Sequence, residues 1–350
     1  ILSMEPENAD AIHFLGIIAF DVGNLPAAKQ LVQAAMDRMP HNASCYLNMG
    51  NIVHQEGQVD QAIAYYSKAI ELDPSNKQAY SNLGVAYKKT RALDKAVKML
   101  EKAIKLDSRY VEAHNNLGEI FKHQGRYDDA LDCCEKALAI APDFVSARWN
   151  RSILYLLAGR FDQGFKEYEW RWKRPETPVR VFQTGQPWDG SPFPGKTLFV
   201  YEEQGMGDTF QFLRYLPLVK ELGGHVIFEV LMPSIRLLEG FAGIDRLYAG
   251  IRNQDTRPVD RFDLHVPLLS LPGLLKTQPG TIPAKVPYLN ADPALAQIWD
   301  RRMGASDRFR VGLVWAGHQG HNNDANRSTR LSAWAGLADL DGVALFSLQK

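Results

Sequence analysis

Residues 202–209, with the sequence EEQGMGDT, lie between a predicted strand and a predicted helix, in a turn suited to ligand binding. Gly205 and Gly207 let the backbone turn tightly and leave N–H groups free at the helix N-terminus. Such groups suit a phosphate or a ligand that carries hydroxyl groups. A dinucleotide-binding fingerprint would need a third glycine where Phe210 stands, although Glu229 lies where that fingerprint places its acidic residue. The missing glycine disfavours an oxidoreductase.

A second candidate set consists of asparagines that recur every 34 residues. The equivalent position 34 residues before the first of them is Phe14. The set is Asn48, Asn82, Asn116 and Asn150. A carboxamide offers a donor and an acceptor, so a row of them can pair with the peptide groups of an extended chain without reading its side chains. The alternative is that these asparagines contribute solubility and local hydrogen bonds.

Basic residues lie late in the same predicted helices. They are His54, Lys88, Lys122 and His123. These side chains either give the surface that carries the asparagines a cationic character or form a solvated face.

The spacing of 34 extends to prolines and small residues along the first half of the chain. One position holds Pro6, Pro40, Pro74 and Pro142, with Ser108 in the remaining register. Three other positions hold Gly16, Gly50, Gly84 and Gly118; Ala28, Ala62, Ala96 and Ala130; and Ala35, Ala69, Ala103 and Ala137. Small residues let the two helices of a hairpin approach closely, and proline marks the break between repeats. This pattern resembles the tetratricopeptide-repeat family and predicts a helical solenoid.

Residues 1–172 are therefore predicted to form the solenoid. The full repeats are 9–42, 43–76, 77–110 and 111–144, and a degenerate cap follows at 145–172. Terminal repeats are atypical because one face meets something other than a repeat. The resemblance places the asparagines on the concave face. They are similar to the asparagine ladder of the protein O-GlcNAc transferases, which implies a protein or peptide partner in the groove.

The composition changes after Trp172. Residues 173–195 are rich in Pro, Gly, Arg and Thr and are predicted to be a linker. Strand and helix patterns then alternate, which predicts a Rossmann-like parallel sheet over 196–290. The predicted strands are 197–201, 225–230, 247–249, 262–266, 309–316 and 343–348, and the predicted helices are 209–222, 233–241, 268–276, 293–303 and 331–340. Residues 291–350 are predicted to hold a bridging helix, capped by Asp292, and the truncated start of a second Rossmann-like unit.

Four motifs in this half resemble glycosyltransferase family 9, the heptosyltransferases. They are EQGMGD at 203–208, FDLHVPLLSLP at 262–272, PYL at 287–289 and VWAG at 314–317. The chain is similar to bacterial tetratricopeptide-repeat proteins with a heptosyltransferase-like region. The resemblance implies a GT-B fold and an inverting transfer of sugar from a nucleotide sugar, a co-substrate, without a metal or other cofactor.

The resemblance also assigns residues to roles. It implies Asp208 as the catalytic base, an acceptor-site loop, and basic residues against the donor phosphates. The acceptor-site residues are Gln204, Gly205, Gly207, His265 and Ser270, and the donor-phosphate residues are Arg327 and Arg330. The alternatives stay open: Asp208 with Gln211 forms a capping box, His265 is a core histidine, and the arginines are exposed loop charges.

The main hypothesis is thus a bacterial glycosyltransferase whose repeats recruit a polypeptide. The alternative is a non-catalytic scaffold with a degenerate transferase-like region. The chain begins without Met, and most of a donor-binding unit would follow Lys350, so we expect a longer protein and an inactive fragment.

Composition excludes several classes of function. Forty basic and forty acidic residues leave no net charge, which gives no reason to expect nucleic acid or an anionic membrane as a partner. No apolar run is long enough to span a membrane. Three cysteines, all in predicted helices, suit a reducing compartment, so we expect a cytoplasmic protein.

Overall fold

The computed structural model describes residues 5, 7–250, 261–317, 324 and 327–349. The chain divides into two compact units, one of residues 1–235 and 239–284, the other of residues 236–238 and 285–350. No helix in the described ranges is long and apolar enough to cross a membrane.

The first part of the larger unit is a series of antiparallel helix hairpins, as the 34-residue pattern predicts. The first helices of the hairpins are α1 (Ala9–Asp21), α3 (Ala43–Gln55), α5 (Lys77–Lys89), α7 (Val111–His123) and α9 (Val145–Leu157). The second helices are α2 (Leu25–Arg38), α4 (Val59–Leu72), α6 (Leu93–Leu106), α8 (Tyr127–Ile140) and α10 (Phe161–Tyr168). A short 3₁₀ helix, Glu169–Lys173, follows. Each first helix packs on the next first helix, so these helices line the inner surface of the solenoid.

Small residues hold each hairpin together. A side chain at Gly50 would place its Cβ 2.5 Å from the ring of Tyr66, and one at Gly84 would lie 2.8 Å from Leu100. The repeated alanines are fully buried. The asparagines that precede the first three first helices accept hydrogen bonds from helical N–H groups, which satisfies donors left free at a helix start.

The three cysteines are free and buried in this core. Burial raises the pKa of the Cys45 and Cys133 thiols to about 11 and that of Cys134 to about 12. Thiols of this kind are inert packing groups rather than nucleophiles.

The second part of the larger unit is a parallel sheet with the strand order β1-β5-β2-β3-β4. Its strands are β1 (Gln186–Pro187), β2 (Thr197–Tyr201), β3 (His225–Leu231), β4 (Arg246–Gly250) and β5 (Leu264–Pro267). Strands β2 and β3 are buried on both faces, as a covered parallel sheet requires. Strand β1 lies in the segment that was predicted to be a linker, so this segment extends the sheet.

Helices near the sheet are shorter than the sequence pattern predicts. They are α11 (Met206–Phe212), α12 (Leu216–Glu221), α13 (Ile235–Leu238) and α14 (Leu271–Leu274), joined or preceded by single 3₁₀ turns. Helix α13 ends where Glu239 leaves the helical region, with φ −57° and ψ 124°, and Gly240 has a positive φ of 74°. The α/β class is confirmed, and the strands match the predicted positions to within a few residues.

The smaller unit contains α15 (Pro293–Met303) and a parallel pair, β6 (Phe309–Leu313) and β7 (Val343–Ser347). Asp292 caps α15 as predicted, since its carboxylate accepts hydrogen bonds from the N–H groups of Ala294 and Leu295 at 2.8 and 3.2 Å. The predicted helix at 331–340 is a 3₁₀ helix, Leu331–Leu337.

Candidate functional site

The asparagine ladder lies on the first helices of successive repeats and connects each repeat to the one before it. The Nδ2 group of Asn82 donates to Asn51 at 2.8 Å, and that of Asn150 donates to Asn115 at 3.0 Å. Asn48 contacts the ring of His13 at 2.8 Å, and Asn116 donates to the Ser81 hydroxyl at 3.4 Å. The donor half of each carboxamide is therefore used within the solenoid.

The acceptor half differs along the ladder. The Oδ1 atom of Asn150 accepts from Lys122 Nζ at 3.0 Å, and Asn150 is only 4% exposed. Within the described part of the chain, the Oδ1 atoms of Asn48, Asn82 and Asn116 accept no hydrogen bond. Three rungs thus keep an acceptor for a peptide N–H group, while the fourth is a structural contact.

A buried arginine joins the solenoid to the sheet. Arg171, in the 3₁₀ turn that closes the solenoid, is 2% exposed. Its Nε and Nη2 atoms lie 2.6 and 3.0 Å from the two carboxylate oxygens of Glu203, and its Nη1 atom lies 2.7 Å from Glu169. Nη2 also donates to the Ser270 hydroxyl at 2.8 Å. The side chain therefore lies between the loops that follow β2 and β5.

This location is the topological switch point of the sheet. The chain runs from β2 outward through β3 and β4 and then returns to β5 on the other side of β2. Open parallel sheets bind ligands at such a point, outside the carboxyl ends of the strands. Here Arg171 donates to Ser270, which was predicted to line an acceptor site, and Ser270 also lines a cavity of about 550 Å³ at the ends of β2 and β5.

Burial disfavours both charges of this ion pair, and the pKa values of both groups are raised. It raises the pKa of the Glu203 carboxyl despite the hydrogen bonds from Arg171. For Arg171, burial opposes the charge, but the hydrogen bonds and attraction from Glu203 outweigh it and raise the pKa. The guanidinium therefore stays charged.

Asp208 lies in the first turn of α11, which begins at Met206 rather than at the predicted residue 209. Its Oδ2 atom accepts the N–H of Gly205 at 3.0 Å. The expected capping box between Asp208 and Gln211 does not form, because Asp208 is the third residue of α11 rather than its N-cap. Gly205 is the N-cap, and the Asp208 carboxylate accepts its N–H. The side chain of Gln204 donates to the Tyr168 hydroxyl at 3.1 Å, so the last solenoid helix contacts this loop.

His265 packs among aromatic side chains. Its ring lies 4.4 Å from that of Phe182, and Tyr201 and Phe262 lie within the same cluster. Burial lowers the pKa of His265, and its Nδ1 atom has no hydrogen-bond partner in the described structure. This environment agrees with a core histidine. The ring also lines a cavity of about 550 Å³ with Trp172 and Trp188.

A larger cavity, of about 680 Å³, lies at the carboxyl ends of β2, β3 and β4. Its lining includes Trp149 from α9, Arg174, Glu203 and Gln204. Trp149 lies on α9, the fifth of the helices that line the inner surface of the solenoid. The cavity therefore adjoins the end of the groove that these helices form. Size and position at the strand ends are those of ligand-binding pockets in α/β proteins.

Sequence reasoning missed the two arginines that organise this cavity, Arg171 and Arg180. Arg180 binds the Glu229 carboxylate through two hydrogen bonds, at 2.7 and 3.1 Å. Glu229 is thus paired within the protein rather than presented to a ribose. The sequence feature that could have identified Arg171 is its position between two tryptophans at 169–172, where the repeat pattern ends.

Arg327 and Arg330, predicted to contact donor phosphates, lie in the smaller unit and are exposed. The Arg327 N–H donates to the backbone oxygen of Asp324 at 2.9 Å, and Ser328 donates to the Asp324 carboxylate. The neighbouring residues 318–323, 325 and 326 lie outside the described residues.

Comparison with known proteins agrees with the helical half. Residues 50–90 and 92–125 match a family model described as TPR repeat, and residues 111–144 match one described as tetratricopeptide repeat. This segment consists of tetratricopeptide repeats. Repeats of this kind mediate protein–protein interaction, so a polypeptide or protein is the partner class that the solenoid implies.

Several proteins are similar to this chain. Protein FlbA of Caulobacter vibrioides is 25% identical over 207 residues, which cover 53% of this chain and 34% of FlbA. The chain thus spans about a third of that relative. Three solved structures are similar to about half of this chain. MamA is 25% identical (45% of this chain, 92% of MamA, TM-score 0.40). PilF of Pseudomonas aeruginosa is 21% identical (47% and 75%, TM-score 0.44), and YrrB, a TPR protein with an unusual peptide-binding site, is 19% identical (50% and 91%, TM-score 0.39).

Proposed function

We propose that the repeats bind an extended polypeptide and that the α/β region is a glycosyltransferase, which transfers a sugar from a nucleotide sugar to a hydroxyl of that polypeptide or of a glycan. The observation that carries this proposal is the cavity at the strand ends. It is lined both by Trp149 of the inner solenoid surface and by Gln204 of the loop before Asp208. A chain leaving the groove at α9 would therefore reach this loop.

The proposed chemistry is an inverting displacement. Asp208 takes the proton from the acceptor hydroxyl as its oxygen attacks the anomeric carbon, and the bond to the nucleoside diphosphate breaks. One carboxylate oxygen is held by the Gly205 N–H, which orients the side chain while the other oxygen takes the proton. Arg327 and Arg330 stabilise the negative charge of the leaving diphosphate.

The test is transfer of radiolabelled sugar by the complete protein, from a panel of nucleotide sugars to candidate acceptor polypeptides. Asp208→Asn keeps the shape of the helix cap but removes the base, so we expect transfer to fall at least about 100-fold. Asp292→Asn is the matched control, since it alters another helix cap and should keep normal turnover. Normal transfer by Asp208→Asn would exclude Asp208 as the base.

A second candidate, a non-catalytic scaffold, is favoured by the contacts at the switch point, where Glu203 and Ser270 are both bound by Arg171 from the end of the solenoid. In that case the α/β region is a structural extension of the solenoid. Titration calorimetry of the complete protein separates the two functions. A transferase binds one of the nucleotide sugars in the panel with measurable heat, whereas a scaffold that binds its polypeptide shows none with any of them.

A further inference from the structure

One edge of the solenoid groove carries a row of basic side chains in the last turns of α3, α5 and α7. This cationic edge consists of His54, Lys88, Lys89, Lys122 and His123. The row continues towards Arg174, which forms an ion pair with Glu176 and whose guanidinium lies 4.8 Å from the ring centroid of Trp149. The C-terminal ends of helices attract cations, so these positions are compatible with folding even where no acidic residue balances them.

Acidic residues do not balance this edge. Lys88 forms an ion pair with Glu119, and Lys122 donates to the neutral carboxamide of Asn150 at 3.0 Å. The described last turns of α3, α5 and α7, together with the preceding turn of α7, therefore contain three lysines and one carboxylate, that of Glu119. The whole protein is electrically neutral, so this surplus is a local feature of the groove.

The protonation equilibria of the same groups reflect the surplus. Burial, and then the charges of Lys89 and Lys88, lower the pKa of His54. Burial, Lys88 and Lys122 likewise lower the pKa of His123. Burial also lowers the pKa of Lys122, although Glu119 acts in the other direction. Beside the larger effect of burial, the neighbouring lysines thus disfavour additional positive charge at His54 and His123.

The groove also has room and acceptors beside this edge. A cavity of about 510 Å³ is lined by Asn51, His54, Tyr66, Asn82 and Lys89, among others. The acceptor oxygens of Asn48, Asn82 and Asn116 suit the N–H groups of a peptide backbone. A nucleic-acid backbone has no such donors, so the asparagines favour a polypeptide over another polyanion.

We propose that the groove selects an extended polypeptide segment rich in Asp and Glu. The asparagine oxygens bind its backbone, and the cationic edge binds its carboxylates. The inference rests on the proposed polypeptide binding and adds the charge of the segment. The acidic segment lies beside the residues that reach the cavity at the strand ends, because Arg174 extends the cationic edge to Trp149.

The experiment measures fluorescence anisotropy of two labelled peptides of about 20 residues with the full chain. One peptide is rich in Glu, and the other has Gln in place of every Glu. We expect the Glu peptide to bind at least about 10-fold more tightly at low ionic strength, and the difference to shrink as salt screens it. Equal affinities for the two peptides would overturn the acidic preference and leave polypeptide binding intact.

Two charge reversals test the location. Lys89→Glu should weaken binding of the Glu peptide about 10-fold and change the Gln peptide little. Lys102→Glu, an exposed position on α6, makes the same change in net charge and should have no comparable effect. An equal loss in both variants would show attraction by net charge and would overturn the assignment to this edge.

Two further measurements separate this inference from the proposed function. Asn82→Ala should weaken both peptides alike, since its carboxamide binds the backbone; no effect on either peptide would count against the ladder. A single-stranded oligonucleotide should displace the Glu peptide far less well than unlabelled Glu peptide does. Equal displacement would identify a general polyanion surface and overturn the proposal.

Discussion

The solenoid and the sheet of the larger unit differ in the sequence range of the contacts that stabilise them. In the solenoid, Gly84 packs on Leu100 in the same hairpin, and the rungs of the asparagine ladder join residues 31 to 35 apart. At the sheet, Leu198 of β2 pairs with Leu264 of β5, and Arg171 donates to Ser270, 99 residues away. The solenoid is therefore stabilised by contacts within and between adjacent repeats, whereas the sheet also contacts the last turn of the solenoid.

The largest expected effect follows from removing Arg171, which joins the solenoid to the sheet. Arg171→Met leaves the buried Glu203 carboxylate without its partner, so we expect a loss of about 3–5 kcal/mol in the free energy of unfolding. Chemical denaturation followed by circular dichroism measures it. Arg174→Met is the control, because its pair with Glu176 is partly exposed and contributes about 0–1 kcal/mol. Equal losses in the two variants would contradict the role of Arg171.

The next effect compares two leucines of equal burial, one in each region. Leu100 in α6 and Leu198 in β2 are both 0% exposed. We expect each Leu→Ala change to cost about 2–5 kcal/mol. The consequences should differ in extent, because a repeat contacts only its neighbours while the sheet is one packed layer.

Hydrogen exchange measures that extent. Leu100→Ala should speed amide exchange in its own repeat and the adjacent ones and leave β2–β5 protected. Leu198→Ala should speed exchange in every described strand of the sheet. Uniform acceleration across the larger unit in both variants would show that the two regions unfold as one.

The smallest effect is a dependence of stability on pH. Burial lowers the folded-state pKa of His13, His54 and His123 in the solenoid and of His265 in the sheet. The unfolded chain therefore binds more protons below about pH 6.5, and stability present above that pH is lost as the pH falls through the folded values. Denaturant midpoints at several pH values should show a larger decrease for the solenoid, which holds three of these histidines. His54→Gln should flatten this dependence of stability on pH.

Prediction from sequence succeeded where local patterns decide the structure. The hairpins, the cap of α15 and most strands follow from spacing, turn residues and runs of apolar side chains. The candidate site was only partly predictable. Asp208 and Gln204 follow β2 as predicted, but α11 begins at Met206, three residues before the predicted start, and the pairing of Arg180 with Glu229 joins residues distant in sequence.

The sequence by itself determined the solenoid, because a 34-residue repeat of Gly, Ala and Pro leaves one way for successive hairpins to pack. It also determined the alternation of strands and helices that follows. Only the tertiary structure decided which polar groups form hydrogen bonds and ion pairs within the protein. Desolvation at the crevice between β2 and β5 requires a partner for every buried charge, and folding supplies Arg171 there from the end of the repeats.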